Sequence, residues 1–219
     1  FTGGTVTGKH IASIAAPMFK KLSLELGGKN PNIIFADCDF DKMLSTTIRS
    51  SFANQGQICL CGSRIFIERP IYEKFKTAFV EKVSRMKVGN PADDTTKMGA
   101  IVSQSHMEKV LSYVDLAKDE GGTVLTGGNQ ALVDGECAEG WFIHPTIIEG
   151  LSFDCRTNQE EIFGPVVTIM PFDTEEEVLM MANSTKYGLA STVWTENLKK
   201  AHRMARNLHA GIVWINCWL

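Results

Sequence analysis

An α/β fold, with a mostly parallel sheet flanked by helices, is predicted by three features of the sequence. Apolar, β-rich runs alternate with helix-period segments along all 219 residues, the pattern of successive βα units. Several helical segments carry their own start signals, a cap residue or a proline just ahead of the apolar stripe. The composition, 44% hydrophobic and 21% charged, is that of an ordinary globular protein with enough apolar residues for a large core.

In chain order, the sequence opens with the small residues Gly3, Gly4 and Thr5. A strand is expected over 22–26 and another over 32–35, separated by Gly27 and Gly28, where the backbone can turn sharply. Asp39 precedes a helix whose stripe is Met43, Leu44, Thr47, Ile48 and Phe52. Residues 64–67 read as a strand, and Pro70 opens a helix with Ile71, Phe75, Phe79 and Val83 on one face. A helix over 103–120 and a strand over 123–125 follow. Residues 127–140, rich in glycine and acidic side chains, read as a surface loop ahead of strand-like 142–148. After the strand Val166–Phe172, Thr174 and Glu177 form a capping box before Val178 and Met181. A strand over 191–194, a helix over 197–208 with Leu198, Ala201, Ala205 and Leu208 on one face, and the strand Ile212–Ile215 complete the series. The expected boundary lies at Gly27-Gly28, where a short amino-terminal remnant meets the main domain. The absence of an initiator methionine at Phe1 and the stop at Leu219 inside an apolar run suggest a piece of a longer protein.

The totals disfavour several classes of partner. A formal charge of −3 and a pI near 6.0 provide no field for nucleic acid or an anionic membrane. No run approaches the roughly eighteen apolar residues of a spanning helix, and the start has no signal-peptide pattern. The six cysteines are irregularly spaced without a CxxC pair, so reduced thiols in the cytosol are expected rather than a disulfide or zinc framework. The five histidines show no ligand spacing, and no metal site is expected.

The chemistry concentrates in a few places. Cys59 lies among glycines and neutral polar side chains just past a helix, which makes it a candidate nucleophile. A small buried hydrophobe is the competing reading. The dipole at a helix carboxyl end disfavours a thiolate, so activation would come from turn amides, from Glu25 through a water, or from a cationic ring. Cys61 is read as packing, because a C-x-C disulfide is strained. Glu25 would serve as a base if partial burial raised its pKa; otherwise it faces solvent or Lys29. The segment 3–9 nearly spells a phosphate-binding P-loop, but His10 stands where the magnesium-ligating hydroxyl belongs.

Phe1-Thr2-Gly3-Gly4-Thr5, Leu24-Glu25-Leu26-Gly27-Gly28-Lys29-Asn30-Pro31, Gly56-Gln57-Ile58-Cys59 and Glu161-Ile162-Phe163-Gly164-Pro165 together resemble the NAD(P)-dependent aldehyde dehydrogenase family, over the whole chain. The resemblance implies a Rossmann-like catalytic domain at 27–219, cut before a terminal oligomerisation segment, with 1–26 the remnant of a cofactor-binding domain. It implies NAD as cofactor and a small-molecule aldehyde as substrate, oxidised through a thiohemiacetal and thioester on Cys59, with Glu25 as the base that activates water. Glu161 would take the nicotinamide ribose hydroxyls, Phe163 would pack on the nicotinamide, and Gly3, Gly4, Leu26 and Gly27 would line the cofactor. Asn216 would line the substrate end. A homo-oligomer, dimer or tetramer, in the cytoplasm is implied for the full-length protein, and the 219-residue piece alone would be inactive. Within the family the motifs look most like the branch acting on 2-aminomuconic or 2-hydroxymuconic semialdehyde. The alternatives are a P-loop-like nucleotide hydrolase and a non-catalytic binding protein of the same fold.

Overall fold

The computed structural model describes residues 1–219 and centres on a seven-stranded sheet. The strands are β1 (Pro31–Ile34), β2 (Arg64–Glu68), β3 (Thr123–Thr126), β6 (Thr146–Glu149), β7 (Val166–Phe172), β8 (Ala190–Trp194) and β9 (Ile212–Ile215), in the order β3-β6-β7-β2-β1-β8-β9. Every neighbouring pair is parallel except the edge pair β3–β6. The short strands β4 (Gln130–Ala131) and β5 (Phe142–Ile143) pair separately. The helices are α1 (Thr5–Ala15), α2 (Phe40–Phe52), α3 (Tyr72–Ser84), α4 (Gln104–Asp119), α5 (Arg156–Gln159), α6 (Glu175–Ala182) and α7 (Leu198–Asn207).

Alternation along the strands builds two cores, because successive side chains point to opposite faces. Ile34, Ile65, Ile67, Val167 and Ile169 pack on one face against Met43, Leu44 and Phe52 of α2 and Phe75, Phe79 and Val83 of α3. On the other face Ile33, Phe66, Met170 and Val193 meet Val178 and Met181 of α6 and Met204 of α7. Val110, Val114 and Ala117 of α4 cover Ile148 and Val166.

The caps read from the sequence at Asp39 and Thr174 form, and Ser103 and Asn197 cap two further helices. Asp39, Ser103, Thr174 and Asn197 each accept a hydrogen bond from the backbone N–H three residues on. The buried Arg64 donates to Lys29 O and to the carbonyls of Met181 and Ala182 at the end of α6.

Four expectations need correction. Residues 22–26 do not form a strand: their backbone bonds only to the first three residues of the chain, around a single parallel bridge between Thr2 and Glu25, which is too short to propagate a ladder. The run 142–148 divides into β5 and β6 at Pro145, which has no N–H for a ladder and separates pairing with β4 from pairing with β7. The segment 127–140 holds β4 and a 3₁₀ turn at Gly135–Cys137, so it is not all loop. Leu198 is 70% exposed. It lies in the first turn of α7, where side chains lean back over the connecting loop, and Ala201, Met204 and Leu208 form the inward face instead.

Candidate active site

Three segments enter adjacent parallel strands at the same edge of the sheet. Residues 25–28 lead into β1, residues 57–61 into β2 and residues 161–163 into β7, and these strands lie side by side as β7-β2-β1. The register sets Pro31 beside Arg64 and Arg64 beside Thr168, so the three segments converge at the amino-terminal end. There they line a cleft of about 490 Å³ with Thr2, Gly3, Gly4, His106 and Lys109. Ligands of open α/β sheets ordinarily sit at the carboxyl ends of the strands, so this cleft lies at the opposite edge from the common rule.

The nucleophile candidate sits in a tight turn. The Cys61 N–H donates to Ile58 O at 3.0 Å, which makes Cys59 and Leu60 the central residues. Asn30 Nδ2 donates to both Cys59 O (2.7 Å) and Cys61 O (2.9 Å), and Trp218 Nε1 donates to Leu60 O at 3.0 Å. Three successive carbonyls are thus held by side chains, while the backbone N–H groups of Cys59 and Leu60 make no hydrogen bond within the chain. Cys59 is half-buried, whereas Cys61 is 6% exposed and burial pushes its thiol up to about 12. The approach from α2 is left-handed over three residues, Asn54 (φ 48°), Gln55 (φ 58°) and Gly56 (φ 69°).

The turn into β7 is also strained: Phe163 has φ 61°. Its carbonyl lies 2.6 Å from His106 Nε2, and its ring meets the His106 imidazole edge-on at 6.1 Å. Glu161 Oε1 accepts from Gly28 N–H at 3.1 Å, and Glu161 O from Lys109 Nζ at 3.3 Å. A Cβ on Gly27 would run into the Glu161 carboxylate, so the glycine permits that approach.

Of the predicted site residues, Cys59, Glu25, Glu161, Phe163, Gly3, Gly4, Leu26 and Gly27 all line this one cleft. Asn216 does not. Its φ is 54°, and its amide both accepts from Thr195 N–H (3.0 Å) and donates to Thr195 O (2.9 Å), which is the arrangement of a strand-end turn. Glu25 is exposed rather than partly buried, and it forms no pair with Lys29, which is itself only 2% exposed. The P-loop alternative fails because the helix begins at Thr5, directly after Gly4; Lys9 therefore lies in its second turn and no loop is left to wrap a phosphate. Gln57, His106 and Lys109 are cleft residues that sequence reasoning missed. Only the spacing of His106 and Lys109, three apart on a capped helix, hinted at a shared face.

The sequence profile of the aldehyde dehydrogenase family matches residues 1–219. The chain is 51% identical to 2-aminomuconic semialdehyde dehydrogenase of Danio rerio and 48% identical to 2-hydroxymuconic semialdehyde dehydrogenase of Pseudomonas putida, over its full length in both cases. It spans about 45% of the length of these relatives. A crystal structure of betaine aldehyde dehydrogenase from Staphylococcus aureus in complex with NAD+ superposes with a TM-score of 0.95 at 43% identity, covering all of this chain and 44% of that one.

Proposed function

The chain belongs to the aldehyde dehydrogenase family, and from that premise we propose that it forms the thiol-bearing half of an enzyme that oxidises an aldehyde to a carboxylic acid with NAD. The observation that carries this reading is the convergence of Cys59, Glu25 and Glu161 on one cleft from three adjacent strand entries.

The residues suit the cofactor. The amino end of α1 has Gly4 as its cap with no side-chain hydrogen bond and no acidic residue in its first turn, so its amides remain open to a phosphate. The Glu161 carboxylate, steadied by Gly28 N–H, is an acceptor for ribose hydroxyls, and the exposed Phe163 ring is a surface for nicotinamide. His106 and Lys109 add polar groups along the same wall. Bound NAD would supply the hydride acceptor.

Cys59 would add its sulfur to the aldehyde carbon, giving a thiohemiacetal whose oxyanion can be met by the unengaged N–H groups of the turn. Loss of hydride leaves a thioester on Cys59. Glu25, exposed in the cleft, would then take a proton from water as the water attacks the thioester, releasing carboxylate and regenerating the thiol.

The same reading takes residues 1–26 as part of a cofactor-binding unit and 27–219 as the catalytic unit. In support, all seven strands of the main sheet lie beyond residue 26, and a single bridge joins the first residues to the segment before β1. The substrate we propose is a muconic semialdehyde, a reading supported by the similarity to the named relatives. The net charge of −3 favours no nucleic acid partner, and a cytoplasmic homo-oligomer is the assembly we expect. No helix is long and apolar enough to cross a membrane.

The test compares Cys59→Ala with Cys61→Ala in the full-length protein, following NADH formation. Cys59→Ala should lower kcat by roughly 10⁴-fold or more, the scale for removing a nucleophile. Cys61→Ala should leave kcat within a few-fold. Retention of activity by Cys59→Ala would end the nucleophile reading.

A further inference from the structure

Asn30 occupies the junction of three elements. It is 4% exposed, one residue before β1. Both hydrogens of its amide nitrogen are used, one on Cys59 O and one on Cys61 O, and its Oδ1 accepts from Ala190 N–H at 3.1 Å, at the start of β8. An asparagine amide has two donors on one side and an acceptor on the other, which is the set this junction requires.

The two carbonyls flank the turn that carries Cys59. Holding Cys59 O fixes the peptide plane after the cysteine, and holding Cys61 O fixes the end of the turn. With Cys61 N–H closed on Ile58 O, the turn has little freedom left to redirect the sulfur or the open N–H groups. Gly28 lets the arrangement close, since a Cβ there would lie 2.7 Å from Cys59 O and 2.7 Å from Asn30 Oδ1. The same Gly28 donates to Glu161, so the segment before β1 ties the thiol turn to the turn before β7.

We propose that Asn30 is a positioning residue for Cys59, setting the orientation of the thiol and of the turn amides through paired hydrogen bonds to Cys59 O and Cys61 O. The proposal rests on the reading of Cys59 as nucleophile. Asn30 does not line the cleft, so its loss should lower kcat and thiol reactivity while leaving the KM for NAD nearly unchanged.

The experiment uses the full-length protein and three variants. Asn30→Ala removes the donors, Asn30→Ser keeps one hydroxyl donor, and Asn32→Ala removes a buried hydrogen bond, to Thr47, from a neighbouring asparagine in β1 that holds neither turn carbonyl. Iodoacetamide alkylation at Cys59, read by peptide mass spectrometry, is measured beside kcat and KM. Asn30→Ala should slow alkylation and lower kcat by about tenfold or more, as for buried groups left unpaired, with KM for NAD within about twofold. Asn30→Ser should fall between Asn30→Ala and wild type, and Asn32→Ala should stay near wild type. Wild-type rates in Asn30→Ala overturn the proposal, as does an equal loss in Asn32→Ala. If Asn30→Ala does not fold, wild-type alkylation and kcat in Asn30→Ser overturn it. Failure of the nucleophile reading registers separately, as activity retained in Cys59→Ala.

Discussion

Lys29 carries an amine into the core two residues before β1, 2% exposed and without an ion pair. Burial chiefly, and then the charge of Arg64, lower its pKa to about 7, with Glu161 and Glu160 pulling the other way. The unfolded chain therefore binds this proton more tightly than the folded one between about pH 7 and the ordinary lysine value near 10.5. Across that window stability rises with pH; the lysine's contribution is full above the unfolded value and is lost as pH falls through about 7. Lys29→Met removes the titration. The stability of wild type relative to Lys29→Met should rise from about pH 6.5 to about pH 9, by no more than about 1.4 kcal/mol per unit. Urea midpoints at both ends of the range check it, and a difference that does not move with pH would contradict the burial account. The sequence offered Lys29 only as a surface partner for Glu25, because nothing local reveals that the chain turns inward at Gly28.

At the scale of elements, the link between α2 and β2 shows how backbone strain is tolerated near the site. Asn54, Gln55 and Gly56 are left-handed in succession, and a Cβ on Gly56 would meet the carbonyl of Gly164 in the neighbouring turn. Positive φ and a backbone clash act together at Gly56, so Gly56→Ala should cost on the order of 2–4 kcal/mol. The measurement is a shift in urea midpoint at unchanged m; a change under about 0.5 kcal/mol, as for an ordinary surface position, would contradict the packing described. Much of this level was legible. The apolar runs of β2, β7 and β9 and the caps Asp39 and Thr174 are local signals, and each holds. The run 22–26 has the same local signal but lacks a partner long enough to pair with. The left-handed Asn54, Gln55 and Phe163 were not legible, since they are imposed by the meeting of two turns more than a hundred residues apart.

At the scale of the molecule, parallel pairing turns three separated motifs into one site. Because β7, β2 and β1 run the same way side by side, the segments before them share an edge, and Glu25, Cys59 and Glu161 face one cleft. The motifs themselves could be read from the sequence. The wall contributed by His106 and Lys109 could not, because it depends on α4 lying against the turn before β7. The central claim is that Cys59 carries the substrate covalently while Glu25 serves the later hydrolysis. Its most direct measurement is intact-protein and peptide mass spectrometry of full-length Glu25→Gln, quenched soon after mixing with aldehyde and NAD. The account predicts an acyl adduct on Cys59 that accumulates far beyond its level in wild type, with an NADH burst followed by slow turnover. Normal turnover with no adduct on Cys59, or an adduct on another cysteine, would contradict it.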